Sequence, residues 1–598
     1  MPDNRYLPFR KTSTDGVAMN PATPKIEPPP STRLRTAVFG CASKRKMASP
    51  RVMQQTLALG VAVLLLFGSA FSTTCAADEP RKPNIVVVLV DDMGFADLGC
   101  YGSEIPTPNL DKLAAAGVRF TQFYNTARCS TTRASLMTGL YPHQAGMGWL
   151  DGKVEPQSKG FHGKLLPRCV TIAEVLRDAG YFTAMTGKWH MGQQNGTPPW
   201  ERGFMRSLNS RFGEVYFPKE DDRPGTKMLY LNGREIPKDS PEIGPGDWYS
   251  TDLFTDWGLK FIDEARAEKK PFFLYVAQGA AHFPLRAPAD VIAKYRGKYL
   301  AGWDKLREQR HAKQKQLGVI DPKWPLAPRP AESPAWDSRT AEQKDRFDQM
   351  MAVYAAMIDR IDLAMGTLVA GLKARGELDN TLILFLHDNG GNAEGGPPGV
   401  TKGDGPIGNP QSYVLLGMNW ATLCNTPFAR YKHFTHEGGI STPLIAHWPA
   451  GIAASRKGAL EKQLGHLVDV MATCVDLAGA KYPAEFKGNV IEPLQGVSLR
   501  PALSGESLGR KQPIFWEHEG NKAVRDSQWK LVKRHKQPWQ LFDMETDRTE
   551  QNDVIKEHAE IASRLEAAWD DWASRTFVDE WNGPDHTDWG QDIKSAQK

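Results

Sequence analysis

Cysteine is scarce in this chain, with seven residues in 598, and that excludes a disulfide-built scaffold. None of the seven stands in the close pairs that hold structural zinc. A long apolar run is also missing: the most apolar stretch, Leu57–Phe71, falls short of the roughly 20 residues of a bilayer-spanning helix. No internal repeat is present, which excludes a solenoid. Excess charge is missing from the body of the chain. Residues 1–77 carry ten Lys/Arg against three Asp/Glu, which leaves 64 basic and 66 acidic residues elsewhere. A near-neutral body gives no electrostatic case for nucleic acid as a partner.

What is present begins with a leader. Lys44, Arg45, Lys46 and Arg51 precede the apolar Leu57–Phe71 run, and Cys75-Ala76-Ala77 offers a small-residue cleavage site before Asp78. The polar stretch before Met47 is long for a signal peptide, and a start at Met47 or Met53 leaves a conventional one. The expectation is a leader and signal peptide over residues 1–77, a body beginning near Asp78, and a periplasmic or secreted protein without a stable membrane span after processing. An uncleaved anchor is the alternative. The body keeps Cys100, Cys129, Cys169, Cys424 and Cys474, an odd number that suits one cysteine with a separate fate. The other four are either paired or simply buried.

The local patterns predict an α/β fold. Asn84–Val90, Pro271–Ala277 and Thr381–Leu386 are continuous apolar runs, as strands buried on both faces require. Pro108–Gly117, a segment starting near Cys129, Val170–Ala179 and residues 345–375 read as helices, and Tyr181–Met185 as a short strand. Helices alternating with buried strands predict a mostly parallel sheet flanked by helices. Residues 300–345 are polar and read as a surface excursion, and Gly390–Pro410 as a loop at a site rim. From about Pro513 the texture changes to short strands and then an amphipathic helix over Ala559–Trp572. The expected division is a catalytic domain over 78–510 and a small C-terminal domain of antiparallel sheet plus helix over 511–598.

Polar residues gather just past the strand ends. Asp91 and Asp92 follow one strand, and Asp388 and Asn389 another. In open parallel sheets ligands bind outside the strand carboxyl ends. An oxygen-only set there selects a hard cation, Ca²⁺ or Mg²⁺; taken singly, such acidic pairs are more often loop caps. Cys129 begins a helix, where backbone N–H groups favour an anion, and Arg133 stands one turn on along the same face. Gly187-Lys188-Trp189-His190 and Gln278-Gly279-Ala280-Ala281-His282 each follow a strand, and Lys432 precedes His436-Glu437-Gly438-Gly439. Alone, each is equally a surface cation or a structural histidine. Trp149, Trp189, Trp200 and Trp420 either line an aromatic or sugar pocket or belong to the core.

Taken together, Cys129-Ser130-Thr131-Thr132-Arg133, ending in Leu136-Met137-Thr138-Gly139, resembles the signature of the type I sulfatases, with Thr131 at the usual Pro position. The other segments follow in family order, and the resemblance runs from Pro83 to about Asp553; the Tyr141–Gly148 and Trp516–Asn521 runs look most like bacterial arylsulfatases. It implies an alkaline-phosphatase-like fold and hydrolysis of aryl or carbohydrate sulfate esters. It implies that a maturation enzyme oxidises Cys129 to formylglycine, and that one Ca²⁺ is bound by Asp91, Asp92, Asp388 and Asn389 together with residue 129. By the same resemblance Arg133, Lys188 and Lys432 meet the sulfate, Asp388 takes the nucleophile's proton, His282 contacts and protonates the leaving oxygen, and His190 assists sulfate release. The competing readings are a formylglycine-dependent phosphodiester or phosphonate hydrolase and an inactive sulfatase-like binding protein.

Overall fold

The structure, a computed structural model, describes residues 81–155, 157–220 and 228–583. The leader assigned to residues 1–77 lies outside the described residues. Apolar strands alternating with helices assemble an eleven-stranded sheet. Its central strands lie in the order Val118–Tyr124, Ser441–His447, Thr381–His387, Asn84–Val90, Phe272–Ala277, Phe182–Lys188 and Arg206–Ser210. Asn84–Val90 is parallel to both neighbours, in register from Asn84 opposite Thr381 to Val90 opposite His387. Ser441–His447 is antiparallel to the strands on either side of it.

Alternation along the middle strand divides the core in two. Val86, Val88 and Val90 face one apolar cluster, and Ile85, Val87 and Leu89 face the other. The 34-residue helix Ala341–Ala374 covers the first face, started by a capping box between Thr340 and Gln343. Cys129–Thr138, Ile172–Asp178 and Val468–Ala478 cover the second. All five body cysteines are buried and free, so burial rather than pairing is their state. No helix among the described residues is long and apolar enough to cross a membrane.

One expectation is corrected. Residues 300–345 are not only a surface excursion, because the Gly302–Gln316 helix within them buries Trp303, Leu306, Arg307, Arg310 and Gln314. Its polar side chains are buried because they tie down distant loops. Gln314 donates to the carbonyls of Tyr101 and Thr426, and Arg310 bonds Asp97 and Glu104.

The C-terminal strands Ile514–His518, Asn521–Asp526, Trp529–Lys533 and Gln540–Asp543 form an antiparallel sheet, with Leu565, Trp569 and Trp572 of the Ala559–Arg575 helix packed on it. A buried ion cluster joins this sheet to the main one. Lys530 Nζ lies 2.9 Å from Glu437 and 2.8 Å from Glu550, and Arg548 Nε lies 2.7 Å from Glu437. Charges so deeply buried persist only as pairs.

His466 sits in the same seam, its ring 5.7 Å from Tyr141 and 5.8 Å from Trp516. Burial, aided by nearby Arg510, lowers its pKa from 6.5 to about 3. The unfolded chain therefore takes up a proton below pH ~6.5 that the folded chain refuses until about pH 3. This stability is fully present above pH ~6.5 and is lost as pH falls, by up to ~1.4 kcal/mol per pH unit. His466→Gln is expected to flatten the fall of the urea-unfolding free energy between pH 6.5 and 4 by up to that amount. An unchanged slope would show that His466 does not titrate differently in the two states.

Candidate active site

The parallel strands deliver their carboxyl ends to one edge of the sheet, and there all ten residues singled out from the sequence meet. Asp91 and Asp92 follow Val90, Asp388 and Asn389 follow His387, and Lys188 closes its own strand. Asn125–Arg128 turns from the end of the Val118–Tyr124 strand into the Cys129 helix. Arg128 is extended and no side chain caps the helix, and Cys129 at its start stands close to Asp91 and Asp388. Thr132 fixes its position by donating to the Asp388 carbonyl at 2.6 Å. Thr131, at the family's Pro position, places its hydroxyl 2.9 Å from the Arg128 carbonyl.

Cations interleave with carboxylates in this cluster. Arg133 Nη2 lies 3.0 Å from both Asp91 Oδ2 and Asp388 Oδ2, with all three side chains 0% exposed. Lys188 Nζ lies 2.6 Å from the same Asp91 oxygen, and Lys432 Nζ lies 2.8 Å from Asp92 Oδ1. Asn389 and Asn392 each donate to Asp92 at 2.7 Å. His282 Nε2 stands 3.7 Å from Asp92 Oδ2, while its Nδ1 donates to the Phe283 carbonyl at 2.6 Å. That bond holds a proton on Nδ1 and leaves Nε2 to exchange one. Asp92 and His190 are held at positive φ, 57° in each case, strain of the kind that surrounding contacts must enforce.

The electrostatics separate the two carboxylates bridged by Arg133. Burial pushes Asp388 up to about 8, with Asp91 adding to the push against Arg133 and Lys188. Burial acts on Asp91 too, but Lys188, His282, Arg133 and Lys432 outweigh it and hold Asp91 far below the usual carboxylate range. Burial raises the Cys129 thiol, and it lowers His190 well below its ordinary value with help from Lys188 and Arg133.

A hard cation fits here. Ligand atoms of Asp91, Cys129 and Asp388 lie within 4.8 Å of one another, as do those of Asp91, Asp92 and His282. Asp91 Oδ1 and Asn389 Oδ1 are buried without any hydrogen-bond partner, and an orphaned acceptor is costly unless something positive meets it. Beside these atoms is a cavity of about 150 Å³ whose walls include Cys129, Lys188, His190, His282 and Lys432.

Residues 83–480, which carry this sheet edge, match the sulfatase family model. The chain belongs to the sulfatase family. A second model, N-sulphoglucosamine sulphohydrolase C-terminal, matches residues 429–573. An arylsulfatase of Klebsiella aerogenes is 33% identical over 475 residues, covering 77% of this chain and 99% of its own. Human arylsulfatase A is 28% identical over 508 residues, covering 81% and 78%. The solved structure of Ps i-CgsB in complex with k-i-k-neocarrahexaose superposes with a TM-score of 0.61 at 27% identity, covering 86% of this chain and 98% of that one. The protein is therefore a sulfatase, an enzyme that hydrolyses sulfate esters.

The structure adds residues of this sulfatase that sequence reading did not single out. Arg128, Glu214, Glu394, Phe212 and Phe283 also line the cavity. Arg128 was one residue from the motif and Glu394 lay inside the Gly/Pro-rich rim, so position in the chain was a usable signal for both. Of the four tryptophans, Trp189 and Trp420 are core, while partly buried Trp149 donates to Glu519 at 3.0 Å near the rim.

Behind Asp92 stands a second support that no local pattern announced. The Tyr354 hydroxyl lies 3.1 Å from the Asp92 carbonyl and 2.7 Å from Asp97 Oδ2, and Arg310 pairs with Asp97 at 2.7 Å. Arg310→Met strands a buried carboxylate and is expected to cost about 3–5 kcal/mol in urea unfolding, with part recovered by adding Asp97→Asn. A loss under ~1 kcal/mol, the scale of an exposed pair, would show that this support is dispensable.

Proposed function

We propose that this sulfatase works through a formylglycine made from Cys129 by a maturation enzyme, and through one Ca²⁺ held by Asp91, Asp92, Asp388 and Asn389 with residue 129. The reading rests on one observation. A buried cysteine at an uncapped helix start stands within ligand reach of Asp91 and Asp388, whose neighbourhood also holds orphaned oxygens. When present, the ion would neutralise the carboxylates and polarise a sulfate oxygen, and the aldehyde hydrate would supply an oxygen nucleophile.

The side chains perform the remaining work. Arg133, Lys188 and Lys432 offset the charge of the sulfuryl group being transferred. Asp388, within ligand reach of residue 129, accepts the nucleophile's proton. His282 gives a proton from Nε2 to the departing oxygen, its orientation fixed through Nδ1. His190, kept neutral by its surroundings, accepts a proton as sulfate leaves. The substrate is a sulfate ester of an aryl or carbohydrate alcohol. The exported body begins near Asp78, in the periplasm or outside the cell, with a catalytic domain to about residue 510 and a smaller domain from 511.

The test uses protein from the native host. The tryptic peptide starting at Cys129 should carry oxygen in place of sulfur and two fewer hydrogens, distinct from the ordinary cysteine oxidation ladder. Elemental analysis should find calcium, and nitrophenyl sulfate should be hydrolysed faster than bis-nitrophenyl phosphate. His282→Ala should slow sulfates of high-pKa alcohols far more than nitrophenyl sulfate, while Lys188→Ala should slow both. An entirely unmodified cysteine alongside full activity, or stoichiometric zinc pairs without calcium, would overturn the reading.

A further inference from the structure

Next to the sulfate-facing residues the cavity carries a pair of charged groups that the reaction does not use. Arg128 and Glu394 both line it, and their side chains keep 11% and 20% of their surface exposed. They lie 3.3 Å apart. Glu394 is an ionised acceptor: burial opposes its charge, but Lys432 and Arg128 hold its pKa well below the carboxylate range. Arg128 only donates, and its buried Nε has no hydrogen-bond partner.

A more deeply buried layer holds the pair in place. His433 puts Nδ1 2.6 Å from Glu519 and Nε2 3.0 Å from Glu394, and Arg128 Nη1 lies 3.2 Å from Glu519. Trp149 also donates to Glu519. His433 and Glu519 both adopt positive φ, 82° and 51°, so their placement is enforced by the surrounding fold. The network draws on the residue before the nucleophile, the rim loop, the Lys432 loop and the C-terminal hairpin. Leu150, Phe212 and Phe283 supply the apolar part of the wall, beside Glu214.

We propose that Arg128 and Glu394 form a specificity fork that reads hydroxyl groups on the alcohol carrying the sulfate, and that it selects a polyhydroxy ring over an aryl alcohol or a ring lacking the neighbouring hydroxyl. A hydroxyl both donates and accepts, so an adjacent acceptor and donor match a hydroxylated ring in a way an aryl group cannot. The apolar wall meets the carbon face of the ring. His433 and Glu519 are positioning residues. This inference rests on the sulfatase reading of the same site.

The experiment compares kcat/KM of native-host enzyme for three substrates: a neutral hexose monosulfate, its deoxy analogue lacking the hydroxyl beside the sulfated carbon, and nitrophenyl sulfate. The fork predicts a loss of about 100-fold or more for the deoxy analogue, because a polar site left unpaired rejects the incomplete ligand. In Glu394→Gln and in Glu519→Gln the ratio of hexose sulfate to nitrophenyl sulfate should fall, and the deoxy penalty should shrink. Non-additivity of that kind marks a direct coupling, which a merely structural role would not produce. Equal rates for hexose sulfate and deoxy analogue in the unaltered enzyme, or strictly additive losses in both variants, would overturn the fork while leaving the sulfatase reading intact. Hydrolysis of none of the sulfates would overturn both.

Discussion

One guanidinium carries the arrangement. Arg133 lies between Asp91 and Asp388 with all three side chains out of solvent, and the two carboxylates end neighbouring strands. Two carboxylates brought so close in a medium of low polarity cannot both stay ionised without a cation between them. Arg133 stands one turn along the helix from Cys129, so the pairing that neutralises the strand ends also sets where residue 129 sits. Lys188 and Lys432 extend the alternation of charge outward, to Asp91 and to Asp92. The result is a buried site rich in positive charge at its mouth and in carboxylate at its base, which suits an anionic ester above and a cation below.

The C-terminal sheet takes part in this arrangement. Glu437 is clamped by Lys530 and Arg548, both within or just after the C-terminal strands, and it lies five residues beyond Lys432. The loop bearing Lys432 is thus anchored by the C-terminal segment. The hairpin turn at Glu519 reaches the cavity wall through Arg128 and His433. A cut through the chain near residue 510 would separate residues that the site uses together.

Sequence made legible what local order encodes. Apolar runs followed at once by Asp91-Asp92 and Asp388-Asn389 announced strand ends, and a short helix start announced Cys129 and Arg133, because each signal lies within a few residues. Residues paired far apart in the chain gave no such signal: Arg310 with Asp97, Glu519 with Arg128, Lys530 with Glu437. The Gly302–Gln316 helix misled for the opposite reason. Its polar composition reads as surface, yet its arginine and glutamine are buried as donors to distant loops. The antiparallel Ser441–His447 strand interrupts the parallel order between Val118–Tyr124 and Thr381–His387, a pairing set by tertiary context rather than by local pattern.

The central claim is that residue 129 bears the nucleophilic oxygen and must also be able to expel the sulfuryl group it accepts. Cys129→Ser mixed with nitrophenyl sulfate tests this most directly, since a serine hydroxyl can take the group but has no second hydroxyl with which to release it. The account predicts release of one equivalent of nitrophenol per enzyme, then arrest, with the sulfuryl group retained on the peptide that begins at position 129. Sustained turnover by Cys129→Ser at the rate of the unaltered enzyme, with no sulfuryl group on that peptide, would contradict it.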